Sequence, residues 1–467
     1  MNKELTRREF LVGAGAAMAS FPFVSLNRAE GSSERPNFVF ILTDDQRWDA
    51  MSCAGHPFLR TPNMDRIARE GVRFRNAFVT TSLCSPSRGC FLTGRHAHSH
   101  GVRDNRTHLS DDIPTFPRLL HDAGYDTAYV GKWHMNDQEG PRPGFDRWVS
   151  FRGQGQYYSP RLNIDGETME VAGYMTDLLT KHAVEWLRRP RTSPFCLYLS
   201  HKAVHGPFQP AIRHSKLYSD APIPIPKSFR ETYEGKPKWV REFGAPPDRE
   251  VKEEFKQFMR NYARTLVAVD EGIGKVFGAL EETGMLDNTV IVFAGDNGYL
   301  QGEHGGMGDK RMMYEESIRI PLLMRYPRLV RPGSLVDQMA LNIDLCPTFL
   351  DLAGVRRPDG VQGQSWAPLL QGRTSGWRKD FFYAYDFEPP YNRKPANRGV
   401  RAESWKYITY PDLDDIDELY DLKNDPEEMR NLIDSPKHAE VVAQMKSRFQ
   451  ELIRETGYTP APAQTQT

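Results

Sequence analysis

The chain has 467 residues, 39% of them hydrophobic and 11% aromatic, enough for one large α/β domain with an appendage or for two or three domain-sized units. Its 61 basic side chains balance 61 acidic ones, so it carries no footprint of a nucleic-acid or membrane-surface protein. Five cysteines without regular spacing argue against a disulfide framework, and Cys196 and Cys346 read as small buried hydrophobes.

Residues 1–34 read as a targeting segment and linker. Arg7-Arg8, with Phe10-Leu11 after them, precede an apolar small-residue stretch, Val12–Ala19, too short to span a bilayer. The arrangement resembles a twin-arginine signal. That implies export through the Tat translocon to a bacterial periplasm or beyond, with cleavage after Ala19 or Ala29. No cysteine follows the apolar run and no other stretch is apolar for long enough to cross a bilayer, so no stable membrane anchor is expected.

Folded structure is expected from Arg35. Phe38–Leu42, Thr127–Val130, Phe195–Leu199 and Thr289–Ala294 are continuous apolar runs, as in parallel strands buried on both faces. Phe255, Phe258, Tyr262, Leu266, Val269, Ile273, Phe277 and Leu280 recur at helical spacing, with Gly284 as the stop. The alternation predicts an α/β fold, a large, mixed, mostly parallel sheet flanked by helices on both faces, over residues 35–370. Pro207–Pro247, rich in Pro, Lys and Arg, reads as an insertion or surface loop. Beyond it, 371–457 reads as a C-terminal subdomain: a smaller antiparallel sheet from Phe381–Tyr385, Gly399–Arg401, Lys406–Tyr410 and Glu418–Leu422, closed by a helix over Pro436–Thr456. Residues 458–467 read as a disordered tail.

Each of the four apolar runs leads to polar residues: Asp44-Asp45, Lys132 with His134, His201 with His205, and Asp296-Asn297. Ligands of open α/β sheets collect at the carboxyl ends of strands, so four such endings suggest one site built from distant pieces. Taken singly, each is as well explained as a loop carboxylate or helix cap. Asp44, Asp45, Asp296 and Asn297 offer only hard oxygen donors, which suit Ca²⁺ or Mg²⁺ and suit Zn²⁺ poorly. His96, His98 and His100 lack the cysteine or carboxylate that would complete a zinc set.

The most informative stretch is Cys84-Ser85-Pro86-Ser87-Arg88, followed by Leu92-Thr93-Gly94-Arg95. Pro86 reads as a helix start, which puts residue 84 beside unpaired backbone N–H groups that favour an anion. Arg88, one turn in, would fix a modified side chain at 84 by charge-assisted hydrogen bonds. The pattern Cys-x-Pro-x-Arg with Leu-Thr-Gly resembles the maturation signal of type I sulfatases. Further elements resemble the same family: Asn37–Gln46, Thr61-Pro62-Asn63-Met64-Asp65, Gly131-Lys132-Trp133-His134, and His205-Gly206-Pro207-Phe208, where Val204 stands in place of the usual Pro. So do Asp296-Asn297-Gly298 with Gly302-Glu303-His304-Gly305 and Lys310, and the late Glu418–Leu422.

The resemblance implies an alkaline-phosphatase-like fold and a sulfuric ester hydrolase. It implies that a formylglycine-generating or anaerobic maturation enzyme oxidises Cys84 to formylglycine, and that one Ca²⁺, with Mg²⁺ the less favoured ion, is held by Asp44, Asp45, Asp296, Asn297 and the modified residue 84. In that chemistry one hydroxyl of the hydrated aldehyde, with Asp296 as base, attacks sulfur; His205 protonates the leaving oxygen; Lys310 and Lys132 hold the sulfuryl oxygens; and His134 takes the second hydroxyl's proton as sulfate is eliminated. His304, His100, Arg401 and Trp405, with Arg398, are candidate substrate contacts. Trp148–Tyr158 and Leu162–Glu167 resemble the branch with N-acetylglucosamine-6-sulfatases and mucin-desulfating enzymes, so the expected substrate is a sulfated carbohydrate. The alternatives are another glycosaminoglycan or polysaccharide sulfate, a phosphodiesterase or phosphonate monoester hydrolase of the same superfamily, and a non-catalytic sugar-binding protein.

Overall fold

The structure, a computed structural model, describes residues 35–386, 388 and 394–461. The expected signal segment lies outside these residues. The described residues, from Arg35 on, form one compact unit. Among the described residues no helix is long and apolar enough to cross a membrane.

A ten-stranded sheet organises the chain. In spatial order its strands are Ser334–Val336, Val72–Phe74, Leu322–Arg325, Thr289–Gly295, Asn37–Thr43, Phe195–Ser200, Asp126–Lys132, Arg147–Phe151, Arg161–Ile164 and Glu167–Glu170. The run from Thr289–Gly295 to Arg147–Phe151 is parallel, while Leu322–Arg325 and the last two strands pair antiparallel with their neighbours. The four apolar runs read from the sequence are its centre. They are apolar on every residue because both faces are covered. Val39, Ile41, Leu197, Leu199, Ile291 and Phe293 pack beneath the helices Met175–Leu187 and Glu253–Glu282. Phe38, Phe40, Leu42, Tyr198, Val290 and Val292 pack on the opposite face, with Phe116–Asp122 and Leu345–Ala353. Burying each such side chain stabilises the fold by about 1.5–3 kcal/mol.

The remaining strands escape a sequence reading because they are short or of mixed polarity. Arg147–Phe151 lies where sugar-facing residues are expected, yet Trp148, Val149 and Phe151 are core. Pro207–Pro247 is irregular as expected, but it is no mere surface loop. Its Tyr233, Lys236, Trp239 and Val240 are buried, and Lys236 donates to Tyr420 Oη at 2.6 Å.

The C-terminal sheet, Asp380–Tyr385, Asn397–Ala402, Trp405–Thr409 and Glu418–Asp421, is antiparallel throughout. Alternation splits its side chains. Phe381, Tyr383, Tyr385, Ile408 and Tyr420 pack toward Leu300, Met312 and Tyr314, whereas Phe382, Val400, Tyr407 and Leu419 pack against the helix Ala439–Thr456. Tyr458, where the disordered tail is expected to begin, is buried and donates to Asp386 Oδ1 at 2.8 Å.

Glu418 is the polar centre of this packing. It is fully buried, accepts from the hydroxyls of Tyr314, Tyr410 and Tyr420, and lies 3.9 Å from Lys236 Nζ. Glu418→Ala would strand those donors, so we expect a loss of about 3–5 kcal/mol of unfolding free energy. Chemical denaturation checks this, and a loss below about 1 kcal/mol would contradict it.

Candidate active site

Register brings the strand ends together. The central strand Asn37–Thr43 is bonded on both sides, with Thr43 opposite Gly295 and Leu42 opposite Ser200; Ser200 in turn faces Gly131. The residues that follow, Asp44-Asp45, Asp296-Asn297, His201 and Lys132, therefore emerge at one level. Backbone bonds from Asp296 N to Thr43 O (2.9 Å) and from Val204 N to Asp44 O (2.7 Å) extend that order past the strands. Oxygens of Asp44, Asp45 and Asp296 lie within 4.8 Å of one another, all buried.

The helix Cys84–Thr93 closes the cluster from the other side. Pro86 is expected as its first residue, but the helix begins two residues earlier, with extended Leu83 before it and Pro86 in the first turn. Proline is harmless there because first-turn N–H groups have no intrahelical acceptor. Ser85 N instead donates to Asn105 Oδ1 at 3.1 Å. All ten residues of the helix are buried, and it ends at Gly94, whose φ of 68° suits glycine.

Cys84 sits at the centre of the charges. Its Sγ accepts from Lys310 Nζ at 3.0 Å and lies 3.5 Å from Asp44 Oδ1. Lys310 also bonds Asp45, and Lys132 bonds Asp44 and, at 2.5 Å, Gln154 Oε1. Arg88 Nε donates to Asp296 Oδ2 at 3.0 Å, and its Nη1 donates to Lys132 O at 2.7 Å and Ser200 Oγ at 2.6 Å. Arg88 thus ties the helix to three strand ends. His134 lies with Nδ1 3.3 Å from Ser85 Oγ. His205 Nδ1 faces Gly206 O at 2.8 Å and Nε2 lies 3.7 Å from Asp45 Oδ2. Gln154, Lys202, Ser200 and Asn105 belong to this environment and were not singled out by role from the sequence. Only Gln154, in the Gly-Gln-Gly-Gln run, carried a local signal.

Burial, then the neighbouring Asp44 carboxylate, pushes the Cys84 thiol far above its ordinary value, against the pull of Lys132 and Lys310. An unmodified Cys84 is therefore a protonated, weak nucleophile at neutral pH. Burial also drives His205 down to about 4, against the pull of Asp45, and drives His134 well below the usual imidazole range. Burial and then Asp44 raise Asp296 to about 7, while Lys132, His205 and Arg88 outweigh burial to hold Asp44 well below the carboxylate range. Three carboxylates converging in a buried space, with Asn297 Oδ1 left without a hydrogen-bond partner, fit a hard divalent cation. Gly298 lets the backbone carry Asn297 in: a Cβ there would meet Glu316 O at 2.1 Å.

The expected substrate contacts fare differently. His304 is fully buried and stacked on Tyr314, with Nδ1 3.4 Å from Glu231 and Nε2 3.6 Å from Glu316. His100 is buried, its Nε2 3.1 Å from Pro86 O, and supports the Cys84 helix from behind. Arg401 is buried in a two-pronged pair with Glu315, at 3.1 Å each. Trp405 points to the C-terminal helix side and packs on His438; Arg398 lies over Tyr458. Tertiary packing buries His304, His100 and Arg401, while Trp405 and Arg398 are half-buried.

The two carboxylates outweigh burial and raise His304 to about 9. Its charged form therefore adds stability that is complete below the unfolded value near 6.5 and is lost as pH rises through about 9, on the order of 3 kcal/mol in all. Unfolding free energy measured from pH 6 to pH 10 should fall more steeply for the wild type than for His304→Gln. Parallel curves would refute the pair.

The comparisons agree with this geometry. The sulfatase family profile matches residues 36–355, and one described as N-sulphoglucosamine sulphohydrolase, C-terminal, matches 302–455. The N-acetylglucosamine-6-O-sulfatase of Bacteroides thetaiotaomicron is 36% identical, over 92% of this chain and 88% of that protein. A solved structure of a protein in complex with its substrate D-glucosamine-2-N,6-O-disulfate superposes with a TM-score of 0.85 at 35% identity, covering 91% of this chain and 98% of the other. A phosphonate monoester hydrolase of Agrobacterium radiobacter, at 22% identity and a TM-score of 0.77, shares the fold. The chain belongs to the sulfatase family. It is a sulfuric ester hydrolase.

Proposed function

We propose that this sulfatase removes the 6-O-sulfate of N-acetylglucosamine in a sulfated carbohydrate. The observation that carries the reading is the meeting of Asp44, Asp45 and Asp296 beside Cys84 and Lys310. The sugar is suggested by the similarity to an N-acetylglucosamine-6-O-sulfatase. Asp44, Asp45, Asp296 and Asn297 would hold Ca²⁺, which as a Lewis acid polarises the sulfuryl group. An aldehyde hydrate derived from Cys84 by a maturation enzyme supplies the nucleophile.

The chain's own residues do the rest. Lys132 and Lys310, each against one metal-site carboxylate, would offset charge on the sulfuryl oxygens. Arg88 fixes Asp296 and the helix that carries residue 84. His205 Nδ1–H donates to the Gly206 carbonyl, which turns Nε2 toward the site. Nε2 is unprotonated at neutral pH, and an anionic ester beside it would favour the proton it must pass to the leaving oxygen. His134, with Nδ1 3.3 Å from Ser85 Oγ, would be the proton acceptor. The N-terminal segment would direct the chain through the twin-arginine route to the periplasm or beyond.

A desulfation screen over defined sulfated mono- and disaccharides, run beside an aryl sulfate and an aryl phosphate diester, tests the reading. We expect 6-O-sulfated N-acetylglucosamine to be turned over fastest. Preference for an N-sulfate or a uronate sulfate would overturn the sugar assignment, and preference for the phosphate diester would overturn the sulfate ester as main substrate.

A further inference from the structure

The long helix Glu253–Glu282 reaches past the sheet. Tyr262 Oη receives Arg47 N at 2.8 Å and donates to Asp45 O at 3.0 Å, so this level of the helix stands at the carboxyl end of the central strand. The nine residues before it, 253–261, project beyond that end by about 13 Å at the helical rise. They form a wall on the side of the strand ends where Tyr262 meets the Asp45 backbone. The wall meets Phe208, three residues after His205. Phe208 packs on Phe258 (ring centroids 4.8 Å apart), Tyr262 (5.2 Å) and Tyr299 (6.0 Å).

Between wall and loop lies an open groove of about 490 Å³, lined by Phe208, Phe258, Gln257, Asn261, Glu253 and Glu254. The chemistry of this lining is specific. Phe258 is half-buried and offers a ring to the C–H face of a pyranose. Gln257 donates to Asn261 Oδ1 at 2.8 Å, which leaves Gln257 Oε1 and the Asn261 amide N–H groups for sugar hydroxyls. Both charged side chains of the lining are carboxylates. Glu253 is engaged by Arg260 and Lys256, and Glu254 makes no ion pair among the described residues.

The geometry points to a second sugar subsite here, for the unit joined to the sulfated residue, and to an uncharged occupant. A uronate or a second sulfate would meet like charge at Glu254. The inference rests on the proposed sugar sulfatase activity. It makes this enzyme one that acts on sulfate within a neutral oligosaccharide and not within an alternating uronate chain.

The test compares kcat/KM on three substrates: 6-sulfated N-acetylglucosamine alone, joined to galactose, and joined to glucuronate. The wild type should prefer the galactose disaccharide to the monosaccharide by roughly tenfold, the effect of one well-placed contact set. Phe258→Ala and the exposed Gln257→Ala should erase that preference while changing monosaccharide turnover less than about twofold. Glu254→Gln should raise activity on the glucuronate disaccharide. Equal use of all three by the wild type, or an equal loss on monosaccharide and disaccharide in Gln257→Ala, overturns the subsite. Should none of the three be desulfated, the sugar reading of the catalytic site falls separately. Binding of the unsulfated galactose disaccharide, read by saturation-transfer NMR, then decides the groove: signals lost in Gln257→Ala support it, and absent or unchanged signals overturn it.

Discussion

Cys84→Ala should lower kcat on an aryl sulfate by at least about four orders of magnitude, the scale on which removal of a nucleophile acts. The fold should survive, because the helix Cys84–Thr93 is held by Arg88, Ser85 and the burial of all ten residues, and not by the thiol. Cys84→Ser is the sharper test. Its hydroxyl would sit in the same place against Lys310 and Asp44, and could accept a sulfuryl group once. It has no second oxygen from which to release it, so we expect at most about one turnover per chain. Steady multiple turnover by Cys84→Ser would refute the proposed aldehyde at 84. The mass of the peptide that carries residue 84 gives an independent reading: in a matured chain it is lighter than the sequence requires, and in Cys84→Ala it is not lighter than its own sequence requires.

Removing the cation, or one carboxylate that would hold it, should cost nearly as much. Chelation of the wild type and the Asp296→Asn substitution should each reduce kcat/KM by roughly 10²–10⁴, the several kcal/mol that Lewis-acid stabilisation supplies. The two should differ in reversibility, since added Ca²⁺ restores only the chelated wild type. Proton competition gives a second readout. With Asp296 raised to about 7 in the absence of a cation, binding must displace a proton below that pH. Ca²⁺ affinity should therefore fall by up to about tenfold per pH unit between pH 7 and pH 5 and level off above pH 7. Titration calorimetry in buffers of different ionisation enthalpy measures the proton released. A pH-independent affinity with no proton release would show that Asp296 is already ionised across this range.

Much of the fold is legible along the chain because its central strands are apolar on both faces. Phe38–Leu42 and Thr289–Ala294 can be nothing but buried, and the helix from Glu253 declares itself by the period of its apolar residues. Legibility fails at the sheet margins. Val72–Phe74 and Leu322–Arg325 have three and four residues, too few for a period to emerge, and their pairing partners are far away in sequence.

The candidate site divides in the same way. Residue types at four strand ends, and the Cys-x-Pro-x-Arg pattern, were enough to nominate the acids, the lysines and Cys84. Sequence could not tell which histidines and arginines remain available. His304 and His100 stand in motifs as suggestive as those of His134 and His205, yet carboxylates and a ring close over the first and the Cys84 helix covers the second.

The sequence by itself determined the family, the chemistry of the donor atoms and the order of the central elements, because these follow from residue type and short-range spacing. Only the tertiary structure decided that Asp44 and Asp296, 252 positions apart, share one buried space, and that Arg401 pairs with Glu315 and His304 with Glu231 and Glu316. Parallel strands in register fix the height at which each polar end emerges, and packing on the far side consumes whatever points away. Neither distance is written in local sequence.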